Sequence, residues 1–343
     1  MRNGDTTVPP ESNLPLPHGG DLAAAEALYG QPSEGWIDLS TGINPTPFPV
    51  GTIDSDAFTR LPDASAQTAL RRAAQAYYGA PSMNAVVCAP GTQALIQWLP
   101  KLRRRSRVAV VGPTYGEHAH AWREAGHDVT EIPSPEHMPD DTEVLVAVNP
   151  NNPDGICHAP ETLLKIERRL ASLGGWLIVD EAFADVTPEI GLSAHCEREG
   201  LILLRSFGKF FGLAGVRLGF ALTHPETADR LNRALGPWAV SGPACTVGTR
   251  ALEDTTWIEA TRKSLAAGRL RLETLLQGHG LEIVGGTDLF VLTRSEGARN
   301  LHNHLARTGI WTRAFTQHPS WLRFGQPGRP EHWRRLETTI EAP

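Results

Sequence analysis

The sequence of 343 residues contains only four cysteines, and they are widely spaced. Cys88, Cys157, Cys196 and Cys245 form no CxxC pair and none of the short spacings by which structural zinc is bound. We therefore expect free thiols in a reducing compartment, with neither disulfides nor a metal site.

Long apolar runs and an excess of positive charge are also missing. The first seventeen residues are polar and proline-rich (MRNGDTTVPPESNLPLP), and no later stretch is long enough to cross a bilayer. The formal net charge of −6 gives no general attraction for nucleic acid or anionic membranes. We expect a cytoplasmic protein whose partners include neither nucleic acid nor a membrane.

The chain does contain a regular alternation of apolar strand patterns and helical patterns from residue 80 onward. Strand patterns at 85–89, 107–112, 143–149, 176–181 and 201–206 are each followed by a helical or loop segment. This alternation predicts an α/β fold with a mostly parallel sheet covered by helices, in a large domain spanning 41–240. Ligands bind such sheets beyond the carboxyl ends of the strands.

The pattern changes after residue 240. Two long helical stretches cover 243–278, and short strand patterns follow at 282–284, 289–293 and 321–325. We expect a smaller α+β domain made of 241–343 together with an N-terminal arm, 1–40.

The stretch SFGKFFGLAGVRLG (206–219) places Lys209 among aromatic residues and glycines, with no other charge before Arg217. Such surroundings desolvate an amine, which lowers its pKa and makes it a nucleophile. Ser206 can donate to a phosphate, and Arg217 can bind one bidentately. Taken singly, each residue also has an ordinary structural explanation.

Further polar residues follow other predicted strands. Gly91, Thr92 and Gln93 open a helix whose amides can bind an anion. Tyr115 can stack on a planar ligand, Asn152 is presented by the turn NPNNPDG, and Asp180 ends a buried strand. Together with Lys209 these groups require a phosphorylated aromatic aldehyde that reacts with an amine, which is pyridoxal 5′-phosphate (PLP).

At these motifs the sequence resembles the fold-type I PLP-dependent enzymes, the aspartate aminotransferase superfamily. The matching motifs occur in the family's order: PTYG (113–116), NNPDG (151–155), DEAF (180–183) and S-x-x-K (206–209) with Arg217 eight residues later. The resemblance implies catalytic roles for Lys209 and Asp180, and cofactor contacts from Gly91, Thr92, Gln93, Tyr115, Asn152, Asp180, Ser206, Lys209 and Arg217. It also implies a homodimer.

Both ends of the chain are similar to one branch of that superfamily, the threonine-phosphate decarboxylases of cobalamin biosynthesis. The segments carrying the similarity are HGGDLAAAEALYG (18–30), WIDLSTGINPTPFP (36–49) and FTQHPSWLRFGQPG (315–328). The resemblance implies a small phosphorylated amino acid as substrate. Its binding residues would be His18, Gly19, Gly42, Asn152, Arg313 and Arg323.

Three positions depart from common patterns of the superfamily. Phe183 replaces a frequent tyrosine, as expected of the decarboxylase branch, and Gly42 replaces a frequent asparagine. Leu61 stands where relatives often carry a tyrosine that reaches the cofactor phosphate of the other subunit. The cofactor motifs alone leave open an aminotransferase acting on histidinol phosphate or another amino acid, and also a non-catalytic PLP-fold binding protein.

Overall fold

The computed structural model describes residues 19–340. The helices are α1 Leu22–Tyr29, α2 Asp56–Thr59, α3 Ala64–Tyr78, α4 Thr92–Trp98, α5 Glu117–Glu124, α6 Pro160–Ala171, α7 Phe207–Phe210, α8 Pro225–Leu235, α9 Gly242–Glu253, α10 Thr255–Gly278, α11 Ala298–Arg307 and α12 Pro330–Ile340. The strands are β1 Ile37–Asp38, β2 Val86–Ala89, β3 Arg107–Val111, β4 Asp128–Ile132, β5 Val144–Val148, β6 Trp176–Asp180, β7 Leu201–Ser206, β8 Gly219–Thr223, β9 Glu282–Thr287, β10 Phe290–Arg294, β11 Ile310–Trp311, β12 Arg313–Ala314 and β13 Trp321–Gly325.

A seven-stranded sheet with the order β2-β8-β7-β6-β5-β3-β4 forms the centre of the fold. Its strands are parallel except β8, which runs antiparallel to both β7 and β2. The inner strands β5, β6, β7 and β8 are buried at every position. This explains why their sequences are mostly continuous apolar runs, with polar residues towards the carboxyl ends of β6, β7 and β8, instead of alternating.

Side chains of the central sheet alternate between two apolar cores. One core contains residues of α3, α6 and α9, and the other contains residues of α4, α5 and α8. Because neighbouring residues of a strand point to opposite faces, the sheet needs helices on both sides.

The strand directions bring several loops to one edge of the sheet. The carboxyl ends of β3, β5, β6 and β7 lie at this edge, and so does the end of β2. Ser206 pairs with Gly219, which in turn pairs with Ala89. The ends of β7 and β2 therefore meet the start of β8 at one point.

A second, four-stranded antiparallel sheet has the order β12-β13-β10-β9. It packs with α10, α11 and α12 around its own apolar core. The short strand β1 pairs with β11 (Ile37 with Ile310), so residues near 37 join the C-terminal part of the chain.

Three glycines, Gly155, Gly285 and Gly286, let the loop after β5 approach this second sheet closely. A Cβ on Gly155 would lie 2.1 Å from the carbonyl oxygen of Gly286, and one on Gly285 would lie 2.1 Å from that of Asp154. Only glycine permits such contact between two backbones.

The predicted fold, a mostly parallel α/β sheet with a smaller α+β part, is confirmed. The domain limits, 41–240 against 241–343 with 1–40, stay a prediction. Within residues 19–340, no helix is both long and apolar enough to cross a membrane.

Candidate active site

A cavity of about 430 Å³ opens at the edge of the central sheet where the strands end. The sequence-predicted residues that line it are Gly19, Gly42, Gly91, Thr92, Gln93, Tyr115, Asn152, Asp180, Ser206, Lys209, Arg217, Arg313 and Arg323. His18, the remaining predicted residue, lies outside the described residues. The cavity therefore collects every predicted site residue between 19 and 340.

Lys209 lies in the short helix α7, directly after β7, and is half-buried. Burial, followed by the positive charge of Arg323, lowers the pKa of Lys209 to about 8. Its Nζ is 5.6 Å from the centre of the Phe183 ring. Asn44 fixes the backbone here, because its backbone N–H donates to the carbonyl oxygen of Lys209 at 2.9 Å. The amine is thus held in place and is easily deprotonated.

Asp180 ends β6 as a buried carboxylate with two partners. His118 Nε2 lies 2.9 Å from Asp180 Oδ2, and the backbone amide of Ala182 donates to Oδ1 at 3.0 Å. His118 is itself buried on α5, so the pair is shielded from water. The arrangement suits a carboxylate that is fixed beside a positively charged ring nitrogen.

A set of four residues, Gly91, Thr92, Ser206 and Arg217, forms what we call the phosphate cup. Gly91 has φ 84° and ψ 158°, and a Cβ there would lie 2.5 Å from Arg217 Nη2. The guanidinium therefore occupies the space that any other residue at position 91 would need. Gly219 similarly leaves room for the amide of Thr92, since a Cβ there would lie 2.6 Å from that nitrogen.

Tyr115 borders the cavity beside Gln93. Its hydroxyl donates to Gln93 Oε1 at 3.3 Å, and Gln93 Nε2 donates to Glu117 at 2.7 Å. Burial raises the pKa of Tyr115 to about 12, so the phenol stays neutral. These two hydrogen bonds fix the Tyr115 ring at the cavity wall, where a planar ligand can stack.

Arg323 connects the two sheets. It is buried, Nη2 donates to the Ser40 carbonyl at 2.7 Å, and Nη1 donates to Asn152 Oδ1. Its Nε is buried without a partner among the described residues. Arg313 pairs directly across from Arg323 in the β12–β13 ladder. Burial, then the charge of Arg313, lowers the pKa of Arg323 to about 9.

Two of the three departures from the superfamily pattern, Phe183 and Gly42, have a common packing reason. Phe183 and Phe290 pack edge to face at 5.1 Å, and a Cβ on Gly42 would lie 2.8 Å from both rings. Glycine at 42 is thus required by the aromatic pair, so no side chain at this position can reach the cavity. A Cβ on Gly19 would lie 2.5 Å from the Ser40 carbonyl, which similarly excludes other residues.

These residues fit PLP. The cavity places an amine of lowered pKa, a buried carboxylate and an arginine-lined anion site within one space, and the Arg217 guanidinium lies where a Cβ at position 91 would be. Aldehyde, ring nitrogen and phosphate each have a chemically suitable partner.

Sequence reasoning missed three supporting residues: His118, Asn44 and Ser40. His118 lies in GPTYGEH, a segment in which the tyrosine carries the recognisable signal. It faces Asp180 because α5 begins right after the Tyr115 loop. Asn44 and Ser40 act through backbone contacts, which no spacing in the sequence reveals.

Comparisons with known proteins establish the family of this chain. The family model described as aminotransferase class I and II matches residues 34–335. A threonine-phosphate decarboxylase from Pseudomonas aeruginosa is 48% identical over 95% of this chain and 97% of that protein. One from a Sinorhizobium species is 42% identical over 96% and 98%.

The fold also matches a crystal structure of histidinol-phosphate aminotransferase from Sinorhizobium meliloti in complex with pyridoxal-5′-phosphate. The TM-score is 0.79 at 18% identity, and 99% of each chain is covered. The chain therefore belongs to the class I and II aminotransferase family.

Proposed function

We propose that this protein is a PLP-dependent lyase that decarboxylates L-threonine O-3-phosphate to (R)-1-aminopropan-2-yl phosphate, a step of cobalamin biosynthesis. The observation that carries the substrate class is the arginine pair, Arg313 opposite Arg323, in the cavity that also contains Lys209. The near-full-length similarity to two threonine-phosphate decarboxylases supports the reaction.

Arg313 and Arg323 suit a substrate with two anionic groups. Like charges directly opposite each other destabilise a sheet, and a bound anion removes that cost. Arg323 is the deeper of the two and retains a buried Nε with no partner among residues 19–340, so we assign it the carboxylate. Arg313, which is less buried, is assigned the phosphate.

Asn152 joins the substrate contact to the cofactor contact. Its Oδ1 accepts from Arg323. The Nδ2 hydrogens are therefore directed away from this arginine, and we assign them to the ring hydroxyl of PLP. When bound, PLP supplies an electron-withdrawing ring that takes up the electron pair left as the bond from Cα to the carboxylate breaks. Asp180, fixed by His118, would hold the ring nitrogen of the bound cofactor.

Lys209 supplies the proton that completes the reaction. As CO₂ leaves, Cα needs one proton to give the amine product, and a lysine of pKa about 8 can carry and release it near neutral pH. Arg323 fixes the carboxylate, so the orientation of the breaking bond depends on this residue. Phe183 contributes no hydroxyl, and with Phe290 it keeps the region beside Lys209 apolar.

The main alternative is an aminotransferase that uses the same cofactor residues. The two are separated by incubating the holoenzyme with L-threonine O-3-phosphate and measuring CO₂ release with and without 2-oxoglutarate. We expect CO₂ without any need for the keto acid. Turnover that requires the keto acid and releases no CO₂ would overturn the proposal. Absence of a cofactor absorption band would favour a non-catalytic protein.

We also propose that the enzyme is a cytoplasmic homodimer. The four cysteines are free, which fits a reducing compartment. Phe58 and Leu61 near α2, and Trp238 before α9, are apolar side chains with 54% to 67% exposure. Light scattering should give twice the mass of 37.2 kDa. A monomeric holoenzyme with full activity would refute the dimer.

A further inference from the structure

We propose that His318, held against Trp321, is a specificity-determining residue that recognises the phosphate group of the substrate at the cavity mouth. This inference rests on the proposed function, because it names a further residue for the same substrate.

The β12–β13 ladder orders the side chains that face the cavity. Arg313 lies opposite Arg323, and beyond them the Phe315 ring packs edge to face against Trp321 at 6.2 Å. Residues 321 and 323 share one face of β13, because side chains alternate along a strand. The face therefore runs from the buried arginine outward to an aromatic pair.

His318 covers the outer end of this face. Its ring is stacked on Trp321 with centres 4.1 Å apart and an angle of 17° between the planes. His318 lines the same cavity as Arg313 and is half-buried. The stack fixes the imidazole without using its nitrogens, and neither nitrogen has a hydrogen-bond partner among residues 19–340.

An imidazole in this position adds what an arginine pair lacks. Guanidinium binds carboxylate and phosphate alike, whereas an imidazole N–H adds one more donor where a dianion would lie. The stack on Trp321 holds that donor in place. Discrimination for phosphate over a neutral side chain then depends on this additional donor.

Other charged and titratable groups also line the cavity, so the test must isolate His318. They are Lys209, Arg217, Arg313, Arg323, Asp180 and Tyr115. The difference in sulfate affinity between the wild type and His318→Asn cancels the contribution of these other groups. His120→Asn is the matched control, since His120 is exposed on α5 and does not line the cavity.

The probe is sulfate, a dianion at pH 6, bound to the PLP-loaded enzyme and measured by calorimetry at that pH. We expect His318→Asn to weaken sulfate binding about tenfold, as for loss of one hydrogen bond to a charged group. His120→Asn should match the wild type. Trp321→Leu should weaken binding at pH 6 by a smaller factor, because the ring is no longer held.

Steady-state kinetics provide the second measurement. For L-threonine O-3-phosphate at pH 6, His318→Asn should raise KM about tenfold and change kcat less than about twofold. Equal sulfate affinity in the wild type and His318→Asn at pH 6, or a fall in kcat with KM unchanged, would overturn the inference. If the wild type does not release CO₂ but sulfate binding still depends on His318, the proposed function fails and the anion subsite stands.

Discussion

Replacing Gly91 with alanine should separate backbone strain from cofactor binding. Gly91 adopts φ 84° and ψ 158°, a region nearly restricted to glycine, where another residue costs about 1–3 kcal/mol. The added Cβ would also lie 2.5 Å from Arg217 Nη2, so the guanidinium must move out of the phosphate cup. Losing one hydrogen bond to a charged group costs about 1.5–3 kcal/mol, which is roughly a 10- to 150-fold weaker affinity for PLP.

Gly236→Ala provides the matched control. Gly236 has φ 76° and ψ 179°, almost the same backbone conformation, but a Cβ there has nothing within 4 Å. Both variants should lose similar stability in urea unfolding of the cofactor-free protein. Only Gly91→Ala should bind PLP more weakly, as measured by absorbance titration.

A second comparison tests whether the effect passes through Arg217. In a double-mutant cycle, Gly91→Ala should add almost nothing to the loss of PLP affinity caused by Arg217→Ala. Equal PLP affinity in Gly91→Ala and Gly236→Ala would refute the reasoning, and so would additive effects in the cycle.

The other predictions concern the lysine, its neighbours and the buried charges. Reconstitution of the cofactor-free protein with PLP should accelerate as the pH rises through about 8, because only the neutral Lys209 amine attacks the aldehyde. Arg323→Gln should shift the midpoint of this pH dependence upward, because Lys209 loses a nearby positive charge that lowers its pKa. The rate is measured by stopped-flow absorbance, and an unchanged midpoint would contradict the prediction. His118→Phe should lower kcat roughly tenfold or more by removing a partner of the buried carboxylate, with circular dichroism showing whether the fold is retained. Glu181→Gln should reduce the free energy of unfolding in urea by about 3–5 kcal/mol, because the buried Arg205 loses one of its carboxylate partners. Asp128→Asn, which removes the exposed pair with Arg105, should produce no measurable change.

Most of the large sheet could be predicted because its strands carry their signal locally. Buried strands such as β5 and β6 are continuously apolar and are followed by helical patterns, which is enough to predict parallel pairing. The antiparallel direction of β8 could not be predicted. Its sequence is as apolar as the others, and its direction depends on the short connection through Arg217.

The site was predictable where several residues together require one ligand. Lys209 among aromatics and Asp180 at a strand end each have ordinary explanations, but together with the anion-binding residues they point to one cofactor. His118 was not predictable because it acts from a different element, and its role depends on how α5 packs on the sheet. The charge pair of Glu181 and Arg205 was also missed. Glu181 follows Asp180 and Arg205 precedes Ser206 in the chain. Because side chains alternate along β6 and β7, the charge pair lies on the opposite face of the sheet from these two site residues.

The glycine contacts between the loop after β5 and strand β9 have a consequence for how this pocket can change. Asn152 is carried by a loop whose backbone is pressed against Gly285 and Gly286, and its side chain accepts from Arg323 of the same second sheet. The second sheet thus cannot shift without carrying Asn152 with it. A displacement of this sheet would therefore move Arg323 and Asn152 together and preserve the contact between them.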